Sequence, residues 1–295
     1  MTDQQAGSPN AREAQFWNSA TTRAWADEHE RIDRLFTGLT QAALEAAAPQ
    51  PGERVIDIGC GSGTTVLELA KRVGPGGHVS GADVSKQSVE KARERIAAAG
   101  LRHAEVLLCD VSTYTFAPNS FDLAFSRFGV MFFSDPTATF VHLRNAMKPG
   151  GRLTFAVFRT PQENPWATAP LAAVRHLLPP VTPPGPEDPG QFSWAASARV
   201  HRILEGAGFR DVSLTPHDPA IRIAGPGGAA EAADFAMRIG QVVRAMSNAP
   251  DVDRDAVRSS LEAFFQSQES PQGIVLPGAI WIVRARAPAA VRPGS

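Results

Sequence analysis

From residue 54 to residue 158 the chain alternates short apolar runs with amphipathic stretches, the rhythm of βαβ units around a mostly parallel sheet. The first run, Arg54 to Ile58, enters Gly59-Cys60-Gly61-Ser62-Gly63, and a helix over Thr64 to Val73 follows, stopped by Gly74-Pro75-Gly76-Gly77. A second strand over His78 to Ala82 leads through Asp83 and the capping residue Ser85 into a charged amphipathic helix from Lys86 to Ala99, closed by Gly100. Strand three covers Ala104 to Cys109 and strand four Phe121 to Phe125. Proline at its start and glycine beyond its end mark a helix over Pro136 to Met147, and Lys148-Pro149-Gly150-Gly151 turns the chain into strand five, Arg152 to Phe158.

The flanks follow other patterns. Residues 10 to 48 read as helical, rich in Ala with Phe16, Trp17 and Trp25, and end at Pro49-Gln50-Pro51-Gly52. After Pro161 prolines become dense, which forbids a long helix, and Pro179 to Pro189 reads as a stiff surface linker or a lid edge. A helix over Ala198 to Glu205, closed by Gly206-Ala207-Gly208, precedes strands at Phe209 to Thr215 and Ile221 to Ala224. Two further helices are predicted over Ala229 to Met246 and Val252 to Ser267, and the apolar run Ala279 to Ala287 suits a buried strand inside a sheet. The expected organisation is a helical arm over 1–50, an α/β core over 51–160, a cap with substrate-binding elements over 161–278 that lends the sheet a strand near 209–215, and a final core strand and tail over 279–295.

Composition narrows the class. Twenty-nine basic against thirty acidic residues give a net charge of -1, so no global basic field exists to hold a polyanion, and nucleic acid is not an expected partner. Cys60 and Cys109 fit neither a disulfide framework nor a zinc set and read as buried thiols in a reducing compartment. Residues Met1 to Asn18 lack the basic and apolar segments of a secretory signal, and no apolar stretch of about 18 residues occurs. A cytoplasmic chain without a membrane span is expected, with a homodimer as the open alternative to a monomer.

The chemistry starts at the glycine loop. Three alternate glycines straight after an apolar strand allow tight turning and close backbone approach to a ligand, and the next helix N-terminus favours an anionic group such as an amino-acid carboxylate. The dinucleotide fingerprint requires glycine at the sixth position, where Thr64 stands, and Asp57 precedes the loop, a pattern that disfavours an NAD-dependent oxidoreductase.

Asp57-Ile58-Gly59-Cys60-Gly61-Ser62-Gly63 resembles the acidic-x-G-x-G-x-G motif of class I methyltransferases that use S-adenosylmethionine (SAM). Cys109-Asp110-Val111 resembles the family's third motif, Phe121 to Phe128 its fourth, and Lys148-Pro149-Gly150-Gly151-Arg152-Leu153 its entry into strand five. The resemblance implies a Rossmann-like three-layer αβα sandwich with a seven-stranded, mostly parallel sheet of order 3-2-1-4-5-7-6. It also implies SAM as methyl donor, S-adenosylhomocysteine (SAH) as product, and a small-molecule acceptor with an O, N or C nucleophile. Asp57, Gly59, Cys60, Gly61 and Gly63 are then expected on the cofactor side. So are Asp83 and Val84, Asp110 and Val111, and Ser126 and Arg127. Asp83 is placed to accept from both ribose hydroxyls, and Asp110 from the adenine amino group.

The acceptor side is read more coarsely. Trp17 and Trp25 close over the methionine end of SAM, build the acceptor pocket, or anchor the arm on the sheet. Phe128 and Met131 follow strand four on the rim, and Asn164-Pro165-Trp166 resembles bacterial small-molecule members related to the quinone-biosynthesis methyltransferases. A general base would come from His142, His176, His201 or His217, none marked by a motif. Ser126-Arg127-Phe128-Gly129 lacks the Asn/Asp-Pro-Pro-aromatic signature of base-flipping enzymes, and it lacks the acidic pair of aminopropyl transferases. No catechol-type metal set is recognisable, so metal-free transfer is expected. A SAM-binding protein without methyl transfer remains the alternative, since catalysis by alignment leaves few mandatory side chains.

Overall fold

The structure, a computed structural model, describes residues 10–180, 185, 187–247, 249 and 251–290. Four short helices open it: α1 (Ala11–Trp17), α2 (Ala20–Asp27), α3 (His29–Leu35) and α4 (Thr37–Ala47). The core follows as β1 (Arg54–Ile58), α5 (Thr64–Val73), β2 (His78–Asp83), α6 (Lys86–Ala98), β3 (Ala104–Leu108), β4 (Phe121–Arg127), α7 (Pro136–Ala146) and β5 (Met147–Phe158). Then come α8 (Pro165–Val174), α9 (Ser197–Gly206), β6 (Arg210–His217), β7 (Ala220–Ala224), α10 (Ala229–Ala236), α11 (Gln241–Ser247), α12 (Arg254–Ser267), β8 (Ile274–Pro277) and β9 (Ile280–Arg286).

The main sheet runs β3-β2-β1-β4-β5-β9-β6, while β7 and β8 form a separate two-stranded ribbon. In the sheet's own count that order is 3-2-1-4-5-7-6. Strands β1 to β5 pair in parallel, and β9 enters antiparallel between β5 and β6. Helices pack on both faces of the sheet. Phe155 and Phe158 on β5 show the division: Phe155 meets Phe140 of α7 and the buried Trp194, whereas Phe158 meets Phe36 between α3 and α4. The glycine loop, Asp83, Asp110 and the end of β4 thereby share the edge formed by the carboxyl ends of the parallel strands, where open α/β sheets bind ligands.

Several expectations needed correction. The arm is helical as expected, divided into four short helices. The predicted helix over Ala229 to Met246 breaks near Gly240, whose φ of +92° lies in the left-handed region that glycine supplies. The proline-dense stretch contains α8: Pro165 occupies its first turn, where a missing N–H costs nothing, and only Pro170 lies inside. Pro183, Pro184 and Pro186 of the expected linker lie outside the described residues. Helix α9 packs on α7 and β6, so it belongs with the sheet, and strand β8 carries no sequence signal. No described helix is long and apolar enough to cross a membrane.

Candidate active site

The loop after β1 is built on glycines whose side chains would collide. Gly59 and Gly63 hold φ of +66° and +84°, and a Cβ would meet the Gly129 Cα at 2.7 Å and the Ala92 Cβ at 2.9 Å respectively. Gly61, φ +53°, differs: a Cβ there meets nothing within 4 Å and projects into open space. The loop is therefore a cradle that any side chain at position 61 would begin to fill. The amides of Gly59 and Cys60 donate to the Ala82 carbonyl at 2.8 and 3.2 Å, fastening the loop to β2. Ser126, fully buried, donates to the Ile58 carbonyl at 2.7 Å and accepts from the Gly129 amide at 3.2 Å, tying the loop to the turn after β4.

Asp83 ends β2 with both oxygens engaged by backbone, accepting from the Gly61 amide at 2.8 Å and the Ser85 amide at 2.8 Å. Burial raises its pKa, and the amides that favour the anion oppose that rise. Ser85 caps α6, not Asp83. Asp57 is fully buried beneath the loop, where Thr65 donates to Oδ2 and Oδ1 has no partner. Burial pushes its carboxyl up to about 7, with Thr65 and the Arg127 charge pulling the other way. Both cysteines are buried, and burial pushes the Cys109 thiol up to about 12.

A cavity of about 1000 Å³ opens over this edge. At one end it is lined by Gly59, Cys60, Gly61, Asp83, Val84, Asp110, Val111 and Arg127. Of the expected cofactor residues, Asp57, Gly63 and Ser126 lie outside this lining: they support the loop from below. The arm forms the cover. Asn10 donates to Asp110 Oδ1 at 3.1 Å, Asn18 donates to the Val84 carbonyl at 2.9 Å and accepts from the Lys86 amide, and Asp33 accepts from Thr64 and pairs with Arg95 at 3.0 Å.

The other end is aromatic. Trp17, Trp25, Phe128, Met131 and Trp166 all line it, as does Phe36, which contacts Phe128 and Trp166 edge-on at 5.4 Å each. Phe128 holds φ of +69°, a conformation a bulky residue adopts at a cost of roughly 1–2 kcal/mol. A stack on Phe158, with ring centroids 4.2 Å apart, fixes it there. Phe36, Asp33 and Gln241 also line the cavity, and nothing local in the sequence marks them because their segments carry no motif. A signal was present all the same: His29, Ile32, Asp33 and Phe36 repeat at helical spacing and all face the cavity.

The four expected base candidates do not belong here. His142 bonds the Tyr114 carbonyl, His201 lies by Glu205, and neither these nor His176 and His217 line the cavity. His29 does. Among the described residues no group of three or more His, Cys, Asp or Glu is placed to hold a metal.

A family model described as a methyltransferase domain matches residues 49–207, more than half of the chain. The chain belongs to this family and is a class I, SAM-dependent methyltransferase. Aklanonic acid methyltransferase DauC of Streptomyces sp. (strain C5) is 31% identical over 207 residues, 65% of this chain and 93% of that protein. Demethylmenaquinone methyltransferase of Corynebacterium kroppenstedtii is 30% identical over 61% of this chain and 77% of its own length. Nocamycin O-methyltransferase of Saccharothrix syringae is 29% identical over 64% and 70%. Phosphoethanolamine N-methyltransferase 2 of Haemonchus contortus, solved with SAM, shares the fold at a TM-score of 0.58 and 20% identity; 93% of this chain aligns, spanning 60% of that one.

The site fits the methyl donor: the cradle at Gly61 takes a main-chain-sized group, and Asp83 presents a carboxylate where a ribose diol would donate.

Proposed function

We propose that the enzyme methylates a flat, largely apolar small molecule at a hydroxyl or enol function, with the donor bound over the glycine loop and the acceptor under the arm. The observation that carries this is one cavity whose lining joins the glycine loop, Asp83 and Asp110 to the rings of Trp17, Trp25, Phe36, Phe128 and Trp166. SAM, when bound, supplies an electrophilic methyl group on its sulfonium. The open cradle at Gly61 and the N-terminus of α5 would hold its amino-acid carboxylate, with Arg127 nearby; Asp83 would take the ribose and Asp110 the adenine amine. Trp17, Trp25, Phe128, Met131 and Trp166 would orient the acceptor ring and exclude water, and such positioning contributes about 7–11 kcal/mol. Relatives named for aklanonic acid, demethylmenaquinone and nocamycin support a small-molecule acceptor of this kind. The aromatic end does not suit a small hydrophilic amine. Two buried free thiols fit a reducing compartment, and a cytoplasmic location is part of the proposal.

Calorimetric titration with SAM and SAH, followed by mass-spectrometric detection of methyl transfer across hydroxylated polycycles, quinols and small amines, tests the reading. Binding of both nucleosides and transfer to hydroxylated rings are expected. Transfer confined to amines would overturn the acceptor class, and no uptake of either nucleoside would overturn the site.

A further inference from the structure

A hydroxyl acceptor of the class proposed above leaves one proton unassigned, because a neutral hydroxyl must lose it as its oxygen attacks the methyl carbon. We propose that His29, on the arm, is the general base that removes it. Of the seven histidines, His29 alone lines the cavity among the described residues. Its Nδ1 lies 2.9 Å from the Ala26 carbonyl, one turn back along the arm. A carbonyl can only accept, so that hydrogen bond requires Nδ1 to carry the proton and leaves the lone pair of the neutral ring on Nε2. The neighbouring charges are already committed: Glu28 pairs with Arg238 at 2.6 Å and Arg31 with Glu231 at 3.3 Å.

Position agrees with this role. Asp33, four residues on and on the same helical face, is fixed beside the glycine loop by Thr64 and Arg95. His29 therefore sits about one helical turn, roughly 6 Å along the axis, from the point where the arm touches the cofactor loop. From the sheet side Phe128 and Met131 are apolar, and the carboxylates that reach the cavity, Asp83 and Asp110, are engaged by the Gly61 and Ser85 amides and by Asn10 and the Ser112 amide. In the step, the acceptor O–H proton moves to Nε2, the oxygen pair forms the O–CH3 bond, and the C–S bond breaks with its electron pair returning to sulfur. Imidazolium, methyl ether and SAH result, and the imidazolium releases its proton to solvent.

The test uses two probes, α-naphthol, which is neutral at pH 7, and lawsone, a hydroxynaphthoquinone already ionised there. His29→Asn keeps a donor near the Ala26 carbonyl but loses Nε2, and His29→Gln serves as the second variant. Both are expected to bind SAM like wild type, to lose about 100-fold in kcat on α-naphthol, and to lose far less on lawsone. Two-bond 1H–15N spectra of the SAH complex should show His29 protonated at Nδ1 and bare at Nε2. Equal losses on both probes, undiminished turnover of α-naphthol, or the opposite tautomer would overturn the base. Wild-type protein that methylates neither probe would overturn the acceptor reading and the base that rests on it.

Discussion

The two ends of the cavity are held in place by different means. At the glycine-loop end, proposed for the donor, position is set by main chain: glycine φ values, amide-to-carbonyl bonds between adjacent strands, and a carboxylate clamped by two backbone N–H groups. At the aromatic end, proposed for the acceptor, position is set by side chains from α1 to α3, the turn after β4, α8 and the α10–α11 region, which meet as ring against ring. Backbone geometry tolerates almost no substitution, whereas aromatic walls can be repacked. The contrast teaches how one fold keeps its donor while its acceptor varies, and it can be broken experimentally.

The largest effect is expected at the loop. Gly59→Val must adopt φ of +66° with a β-branched side chain and drive its Cβ to within 2.7 Å of the Gly129 Cα. Backbone on both sides prevents relief, so SAM binding should be lost in calorimetry and thermal unfolding should fall by several degrees. Gly61→Ala sharpens the point: its Cβ meets nothing in the protein, so the fold should bear only the left-handed penalty of about 1–2 kcal/mol. SAM affinity should still fall, because that Cβ occupies the cradle. A Gly61→Ala protein with wild-type SAM affinity would move the donor away from the loop.

Next comes Asp57, beneath the same loop. With its folded pKa raised to about 7 from an ordinary 3.8, the native state holds a proton there that the unfolded chain has released. Its contribution to stability is therefore complete below about pH 4 and is lost as pH rises through about 7. At about 1.4 kcal/mol per pH unit the full span is at most about 4 kcal/mol. Asp57→Asn removes this titration, so the variant should gain stability relative to wild type as urea melts move from pH 5 to pH 8.5. A constant difference would mean that Thr65 and Arg127 keep the carboxylate ionised throughout.

Asp83→Ala ranks third. It removes an acceptor of two backbone amides and of the expected ribose hydroxyls, and hydrogen bonds to a charged group contribute roughly 1.5–3 kcal/mol each. Loss of about 100-fold in SAM affinity is expected, with near-native circular dichroism. Unchanged affinity would exclude Asp83 from the donor site.

The same contrast explains what could be read in the sequence. Alternating apolar runs and glycine stops reveal the order of the first five strands, because those signals are local and each element carries its own. Gly59 to Gly63, Asp83 and Asp110 are legible for the same reason: strand-end chemistry sits a fixed step after the strand. Gly129 escapes such a reading although its Cβ would meet the Ile58 carbonyl at 2.6 Å, since that crowding arises only when β1 and β4 lie side by side. His29 shares helical spacing with Ile32, Asp33 and Phe36, but that spacing alone does not say which way the face points; its turning toward the cavity is a tertiary fact, and the patterns around His142, His176, His201 and His217 are locally no weaker. Strand β8 is four residues long and pairs with β7 across a sequence gap filled by three helices, so no short-range signal marks it.

The smallest effect, and the one that tests the aromatic end most directly, is Trp25→Ala. Trp25 lines the cavity and packs edge-on against Trp17 at 5.6 Å, which in turn meets Phe132 at 5.1 Å. Truncation opens one face of this chain of rings without touching Asp83, Asp110 or the loop. An aromatic pair contributes about 0.5–1.5 kcal/mol beyond its buried area, which corresponds to a loss of roughly tenfold or less. If the ring orients the acceptor, that loss falls on KM for hydroxylated probes while the dissociation constant for SAM holds. If it only fastens the arm, SAM affinity and thermal stability decline together, since Asn10, Asn18 and Asp33 reach the donor edge from the same arm. The ratio of the two losses therefore locates the boundary between the donor end and the acceptor end.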